Sequence, residues 1–70
     1  MRLHYYPDTD SLYIELADGA ATESEEVRPG VVLDFDAEGR LVGIDVDHAS
    51  RMVNLRRLEV DSLPALQPVT

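Results

Sequence analysis

The chain has no cysteine, no cysteine-histidine spacing of the metal-finger kind and no long apolar run. Each absence excludes a class of protein. Without disulfides or a structural metal, a 70-residue chain lacks the usual staples of a mini-protein and must draw its stability from packing or from association. A chain of this length buries only about 60% of the surface its unfolded form exposes, so one compact layer is the most it can build. Association is the expected supplement. The opening Met1-Arg2-Leu3-His4-Tyr5-Tyr6-Pro7 lacks the apolar core of a signal peptide, and no stretch approaches the roughly 20 apolar residues of a membrane helix. The expected location is the cytoplasm.

Basic residues are also scarce: six against 14 acids, for a formal charge of −8. Residues 1–47 carry twelve acids against Arg2, Arg28 and Arg40, whereas residues 48–70 carry Arg51, Arg56 and Arg57 against Glu59 and Asp61. Such a surface repels the phosphates of nucleic acid and of anionic membranes, so neither is an expected partner. RNA binding through the three C-terminal arginines would require them to cluster away from the acids. A basic protein would instead be steered toward the chain, although acids also serve simple solubility.

What is present reads as strands. Leu3 and Tyr5, then Leu12, Ile14 and Leu16, alternate with polar residues around a Pro7-Asp8-Thr9-Asp10 turn. Pairing Tyr6 with Ser11 sets Tyr5 opposite Leu12 and Leu3 opposite Ile14, which leaves His4, Tyr6, Tyr13 and Glu15 on the other face. Ala17 to Pro29 reads as a loop leading into a short acidic edge strand, where charge discourages stray strand pairing. Gly30 opens a second hairpin with Val31, Leu33 and Phe35 facing Val46, Ile44 and Val42. Its turn at Ala37-Glu38-Gly39-Arg40 is expected to be even in length, because a three-residue loop would match Phe35 with Leu41 and turn Val42 outward. Asp47 is the expected N-cap of a helix that starts at His48 and places Ala49, Met52 and Val53 on one stripe, with a break near Asn54. His48 is read as a packing residue, since a helix start disfavours its charged form.

The expected fold is therefore α+β: an antiparallel β-meander of about four strands in two hairpins, with a short C-terminal helix packed on one face. Residues 1–58 form the single β-rich domain, and residues 59–70 form an extended or disordered tail in which Leu63, Leu66 and Val69 recur every three residues. Eleven apolar side chains share one sheet face of roughly 350 Å², and a ten-residue helix covers only about 150 Å² of it. A second copy or another protein is expected to meet the remainder, unless strong twist closes the sheet on itself.

Chemistry is weakly signalled. Asp34, Asp36, Asp45 and Asp47 share the outward face of the second hairpin, with Asp34 and Asp45 as diagonal neighbours. Oxygen clusters of this kind can hold Ca²⁺ or Mg²⁺, which makes Asp34 and Asp45 the candidate metal ligands and a metal-assisted hydrolase the alternative function. A regular ladder supplies no loop carbonyls to complete such a shell, so the default is a solvated strand face and no cofactor is expected. His4 beside Tyr13 and Glu15 could form an acid-base pair, but nothing encloses it and no nucleophile adjoins it, so no catalytic residue is assigned. Gly43 marks a close approach, either by a partner or by a tyrosine of the same domain. Tyr6, Tyr13, Asp34, Gly43 and Asp45 are the candidate partner-binding residues, the tyrosines because amphipathic rings suit interfaces.

Taken together, Tyr6-Pro7-Asp8-Thr9-Asp10-Ser11-Leu12-Tyr13-Ile14, Val32-Leu33-Asp34-Phe35-Asp36 and Gly39-Arg40-Leu41-Val42-Gly43-Ile44-Asp45-Val46 resemble a small bacterial family, the domain of unknown function 2283. The likeness spans about residues 4 to 51, and it departs from the family pattern at Asp45, where a glutamate is usual. It implies a β-meander with a C-terminal helix and no assigned catalytic residues, and in some members an antitoxin-like pairing with a neighbouring toxin-like protein. The expected function is a small non-enzymatic interaction module, self-associating or binding a basic protein.

Overall fold

Apolar-polar alternation over Arg2–Tyr6 (β1) and Ser11–Glu15 (β2) forms the first hairpin of a computed structural model that describes residues 1–64. Its register is the expected one, with Tyr6 opposite Ser11, Tyr5 opposite Leu12 and Leu3 opposite Ile14. Three more strands follow: Glu23–Arg28 (β3), Val31–Phe35 (β4) and Leu41–Val46 (β5). All neighbours are antiparallel and the spatial order is β1-β2-β5-β4-β3, so the sheet has five strands, the acidic stretch supplying the fifth at one edge.

The second hairpin corrects the expected register in one place. Its loop is three residues long, with Asp36 N–H donating to Arg40 O at 2.9 Å and Gly39 N–H to Asp36 O at 3.0 Å. Gly39 takes a left-handed φ of 79°, the position that closes a type I turn in three-residue hairpins. Phe35 accordingly pairs with Leu41 and not with Val42. Val42 is nevertheless buried, at 3% exposure, because a bulge beside it absorbs one residue and restores the parity. Leu33 then faces Ile44 and Val31 faces Val46, as expected. Asp36 holds the loop: its carboxylate accepts the backbone N–H groups of Glu38 and Arg40 and the Arg40 Nε, each at 2.9 Å. The backbone bond from Arg40, chief among these contacts, keeps its carboxyl below the usual range.

The helix (α1) is a single turn, Ala49–Met52, and the expected Asp47 cap is also corrected. The N-cap position belongs to His48, which has a left-handed φ of 53° and makes no side-chain capping bond. Capping comes from the first hairpin turn. Asp10 O accepts the Ala49 N–H at 2.8 Å, while its carboxylate accepts the Ser50 N–H at 3.1 Å, the Ser50 hydroxyl at 2.6 Å and the Tyr5 hydroxyl at 2.7 Å. Asp47 turns to the sheet, its N–H bonding Gly30 O at 2.7 Å and its carboxylate receiving the Ser11 hydroxyl. Val53 is extended, so the helix ends one residue before the expected break, and Asn54 then organises a turn by accepting the Arg56 N–H at 3.0 Å. Residues 59–64 carry no regular structure, and the expectation for Leu66 and Val69 lies outside the described residues.

The core is small. Leu12, Val46 and Ala49 form its centre with Ile14 and Ile44 packed against them, and Val42 is the other buried apolar side chain among the described residues.

Candidate functional site

Direct cross-strand partners share a face, so the register sorts the sheet into two surfaces. The polar surface brings together all five residues singled out as partner-binding. Tyr13 pairs with Asp45, Asp34 and Glu15 each pair with Gly43, and Tyr6 lines a shallow recess with Tyr13 and Asp45. Tyr13 lies across β5 and donates its hydroxyl to Asp34 Oδ2 at 2.9 Å. Gly43 makes that possible. A Cβ at Gly43 would stand 2.0 Å from the Tyr13 hydroxyl oxygen and 2.6 Å from its Cζ, so the close approach is made by a ring of the same domain. Burial, followed by the Asp34 bond, pushes the Tyr13 phenol up to about 12.

Asp34 is spent internally, because its second oxygen accepts the Ser24 hydroxyl at 2.6 Å. Asp45 has its carboxyl raised by burial, with Asp47 and Asp34 adding repulsion. Among the described residues no group of three His, Cys, Asp or Glu side chains could hold a metal ion. The His4 constellation is also redirected. Its ring packs on Tyr6 at a centroid distance of 4.3 Å, and Glu15 pairs with Arg2 at 3.4 Å instead of serving a histidine.

The apolar surface is less complete than the polar one. Its helical cover is one turn, about 6 Å long and roughly 60 Å² in footprint, supplemented over β1 and β2 by residues 53–58, against a sheet of five strands that spans about 400 Å². Val31, Leu33, Phe35, Ile14 and Ile44 stay half-buried, and Leu3 and Tyr5 are exposed. The turn-containing stretch after the helix, residues 53–58, stands over β1 and β2 and leaves an apolar groove of about 580 Å³, lined by Leu3, Tyr5, Leu12, Val53, Leu55 and Leu58. On the lid side Met52, Val53, Leu55 and Leu58 remain exposed.

Two features of this surface escaped sequence reasoning. Glu23 pairs with Phe35 and Glu25 with Leu33, which places both carboxylates on the apolar face at its β3 edge. No apolar alternation runs through Glu23–Arg28 to announce that register. The Asp10 clamp was hidden for a different reason, since it joins residues 40 apart in sequence.

A single antiparallel sheet with one packed face, one hydrogen-bonded polar face and a one-turn lid defines a minimal α+β domain, and no helix among the described residues is long and apolar enough to cross a membrane. The model of the family described as protein of unknown function (DUF2283) matches residues 2–50, which include all five strands, and the chain belongs to that family. No curated protein and no solved structure matches the chain.

Proposed function

We propose that the chain is a non-enzymatic protein-association module whose partner closes the apolar face of the sheet. One observation carries this reading: Leu33, Phe35, Ile14 and Ile44 stand half-buried on a face whose only helical cover among the described residues is one turn. Apolar surface contributes roughly 25 cal/mol per Å² when removed from water, so an incompletely covered face is a standing drive to associate. A contiguous apolar patch rimmed by charge is the usual mark of such a site. The polar face offers less, because Tyr13, Gly43 and Asp34 are occupied with one another, which leaves Tyr6 and Asp45 as its free contributors.

Two occupants fit, a second copy of the chain or a basic protein. The net charge of −8 supports the basic protein and, with it, an antitoxin-like role in the bacterial cytoplasm. The test is a photo-crosslinking phenylalanine derivative placed at Phe35 and irradiated in living cells. A covalent product heavier than the monomer is expected, and it should disappear when Leu33→Arg is added. Irradiation that yields only monomer would refute the association reading.

A further inference from the structure

The apolar face is uneven in both height and charge, and the two patterns run the same way. On the β1-β2 side it is raised by the stretch that follows α1, and the groove lies under Val53, Leu55 and Leu58. On the β4-β3 side it is bare, with Leu33 and Phe35 half-buried. The raised side carries Arg57, which lines the groove, with Arg56 next to it in the chain, whereas Arg51 lies with Pro29 and Gly30 at the turn between β3 and β4. The bare side ends in Glu23, Glu25 and Arg28, which the pairing with Phe35, Leu33 and Val31 puts on this same face, two acids against one base. Among the described residues Arg56, Glu23 and Glu25 make no ion pair, while Arg57 pairs with Glu59.

Starting from the association reading above, we infer that the partner is a second copy of this chain, docked face to face about a two-fold axis that runs along the strands. Rotation about that axis exchanges the left and right sides of the sheet. The raised, arginine-bearing side of each copy then rests on the bare, glutamate-bearing side of the other. Each raised stretch supplies the cover that the other sheet lacks, and the exposed Val53, Leu55 and Leu58 meet Leu33, Phe35 and Ile44. The contact is isologous, so every favourable pairing occurs twice. A two-fold axis across the strands would set lid on lid and arginine on arginine, and both shape and charge reject it. The overall −8 of each copy opposes approach at long range, but salt screens it beyond about 8 Å at physiological ionic strength, where the contacting rims dominate. Faces of a few hundred Å² put the dimer among small interfaces, below about 1,200 Å² in total, with dissociation in the micromolar range.

The experiment is sedimentation velocity on the full chain between about 1 and several hundred micromolar, a range set by that interface class. The parent chain should pass from monomer to dimer. Two charge reversals, Glu23→Arg with Glu25→Arg and Arg56→Glu with Arg57→Glu, should each weaken the dimer by about tenfold or more, since exposed pairs give up to roughly 1 kcal/mol each and two rims change sign. An equimolar mixture of the two variants should dimerise again, because both rims of the mixed pair are then complementary. The arginine pair lies outside the sheet, so circular dichroism of that variant separates loss of association from loss of folding. A parent chain that stays monomeric, or reversals that leave its dimer unchanged, overturns the proposal. If the parent is monomeric while the Phe35 crosslink captures a different protein, the second copy is refuted and the association reading stands; if no crosslink forms, both fail.

Discussion

Replacing Gly43 by alanine tests how the polar face is built. The new Cβ would lie 2.0 Å from the Tyr13 hydroxyl oxygen, 2.6 Å from Cζ and 3.3 Å from Cε1. Backbone cannot yield in the middle of a paired strand, so the ring must swing away by more than an ångström. In doing so it loses its bond to Asp34, 2.9 Å long in the parent. A hydrogen bond to a charged group contributes about 1.5–3 kcal/mol, and partial exposure puts this one at the lower end. Alanine returns about 0.5–1 kcal/mol by stiffening the unfolded strand. The net expectation is a loss of about 0.5–1.5 kcal/mol, which in a domain of this size lowers Tm by roughly 4–8 °C per kcal/mol. The decisive comparison is the same substitution in a Tyr13→Ala background, measured by urea unfolding. There no ring opposes the methyl group, and Gly43→Ala should be neutral or stabilising by about 0.5 kcal/mol. Equal costs in both backgrounds would show that Gly43 serves its own backbone and not the tyrosine.

Other consequences are as direct. The Tyr13 phenol titrates near about 12 in the folded chain but near its ordinary value of 10.0 when unfolded. Between those values the folded state holds a proton that the unfolded state has lost, so the stability contributed by Tyr13 is complete below pH 10 and declines as pH rises toward 12. Tyr13→Phe should flatten that decline in alkaline denaturation curves. Asp10 is held below its ordinary value first by the Ser50 hydroxyl bond and then by Tyr5, so its stabilising contribution is present above the ordinary carboxylate value of 3.8 and fades as pH falls below it. Asp10→Ala should therefore free α1 at neutral pH, seen as faster hydrogen exchange at Ser50 with Ile44 still protected. Asp45, raised by burial and by Asp47 and Asp34, behaves in the opposite sense: its ionised form opposes folding, and Asp45→Asn should raise stability at neutral pH by a few tenths of a kcal/mol after solvent screening, read as a higher Tm.

Much of the sheet was legible because alternation is a parity rule and parity survives compensating errors. The first hairpin followed from Pro7–Asp10 and the Leu3, Tyr5, Leu12, Ile14 series. The second was read correctly at Val31–Val46 and Leu33–Ile44 although its loop was assigned the wrong length. A three-residue loop and a bulge at Val42 each shift the strand by one, and together they restore the inward series that the sequence displays. Alternation cannot distinguish two such shifts from none. Asp36 was the overlooked clue, since a carboxylate followed by a glycine three residues on suits a turn closed by side-chain bonds to Glu38 and Arg40. The lid was less legible for the opposite reason. Asp47 has the right chemistry for a local cap, but the capping group is Asp10, and residues distant in the chain leave no periodic trace. Alternation put Tyr6, Tyr13, Asp34, Gly43 and Asp45 on one surface, where they lie, whereas the internal use of Tyr13, Gly43 and Asp34 left no trace in the sequence pattern.

The position of Glu23 and Glu25 bears on how any partner can approach. An edge strand exposes a row of unpaired N–H and C=O groups, and charges that point toward the apolar face of such a strand are an effective barrier to edge-to-edge pairing. To add a strand beside β3, a partner would have to lay its own inward side chains against these carboxylates, next to Phe35 and Leu33. The bulge between Glu26 and Arg28 further interrupts the edge. Growth of the sheet is thereby disfavoured at β3 while its face stays open, so at this edge the proposed association would run through side-chain packing rather than backbone hydrogen bonds. A strand-adding partner would protect the amides of β3 from hydrogen exchange, whereas a face-docking partner leaves those amides exchanging and instead buries Leu33, Phe35 and Ile44. Exchange measured above and below the association midpoint separates the two modes, and new protection confined to Glu23–Arg28 would refute face docking.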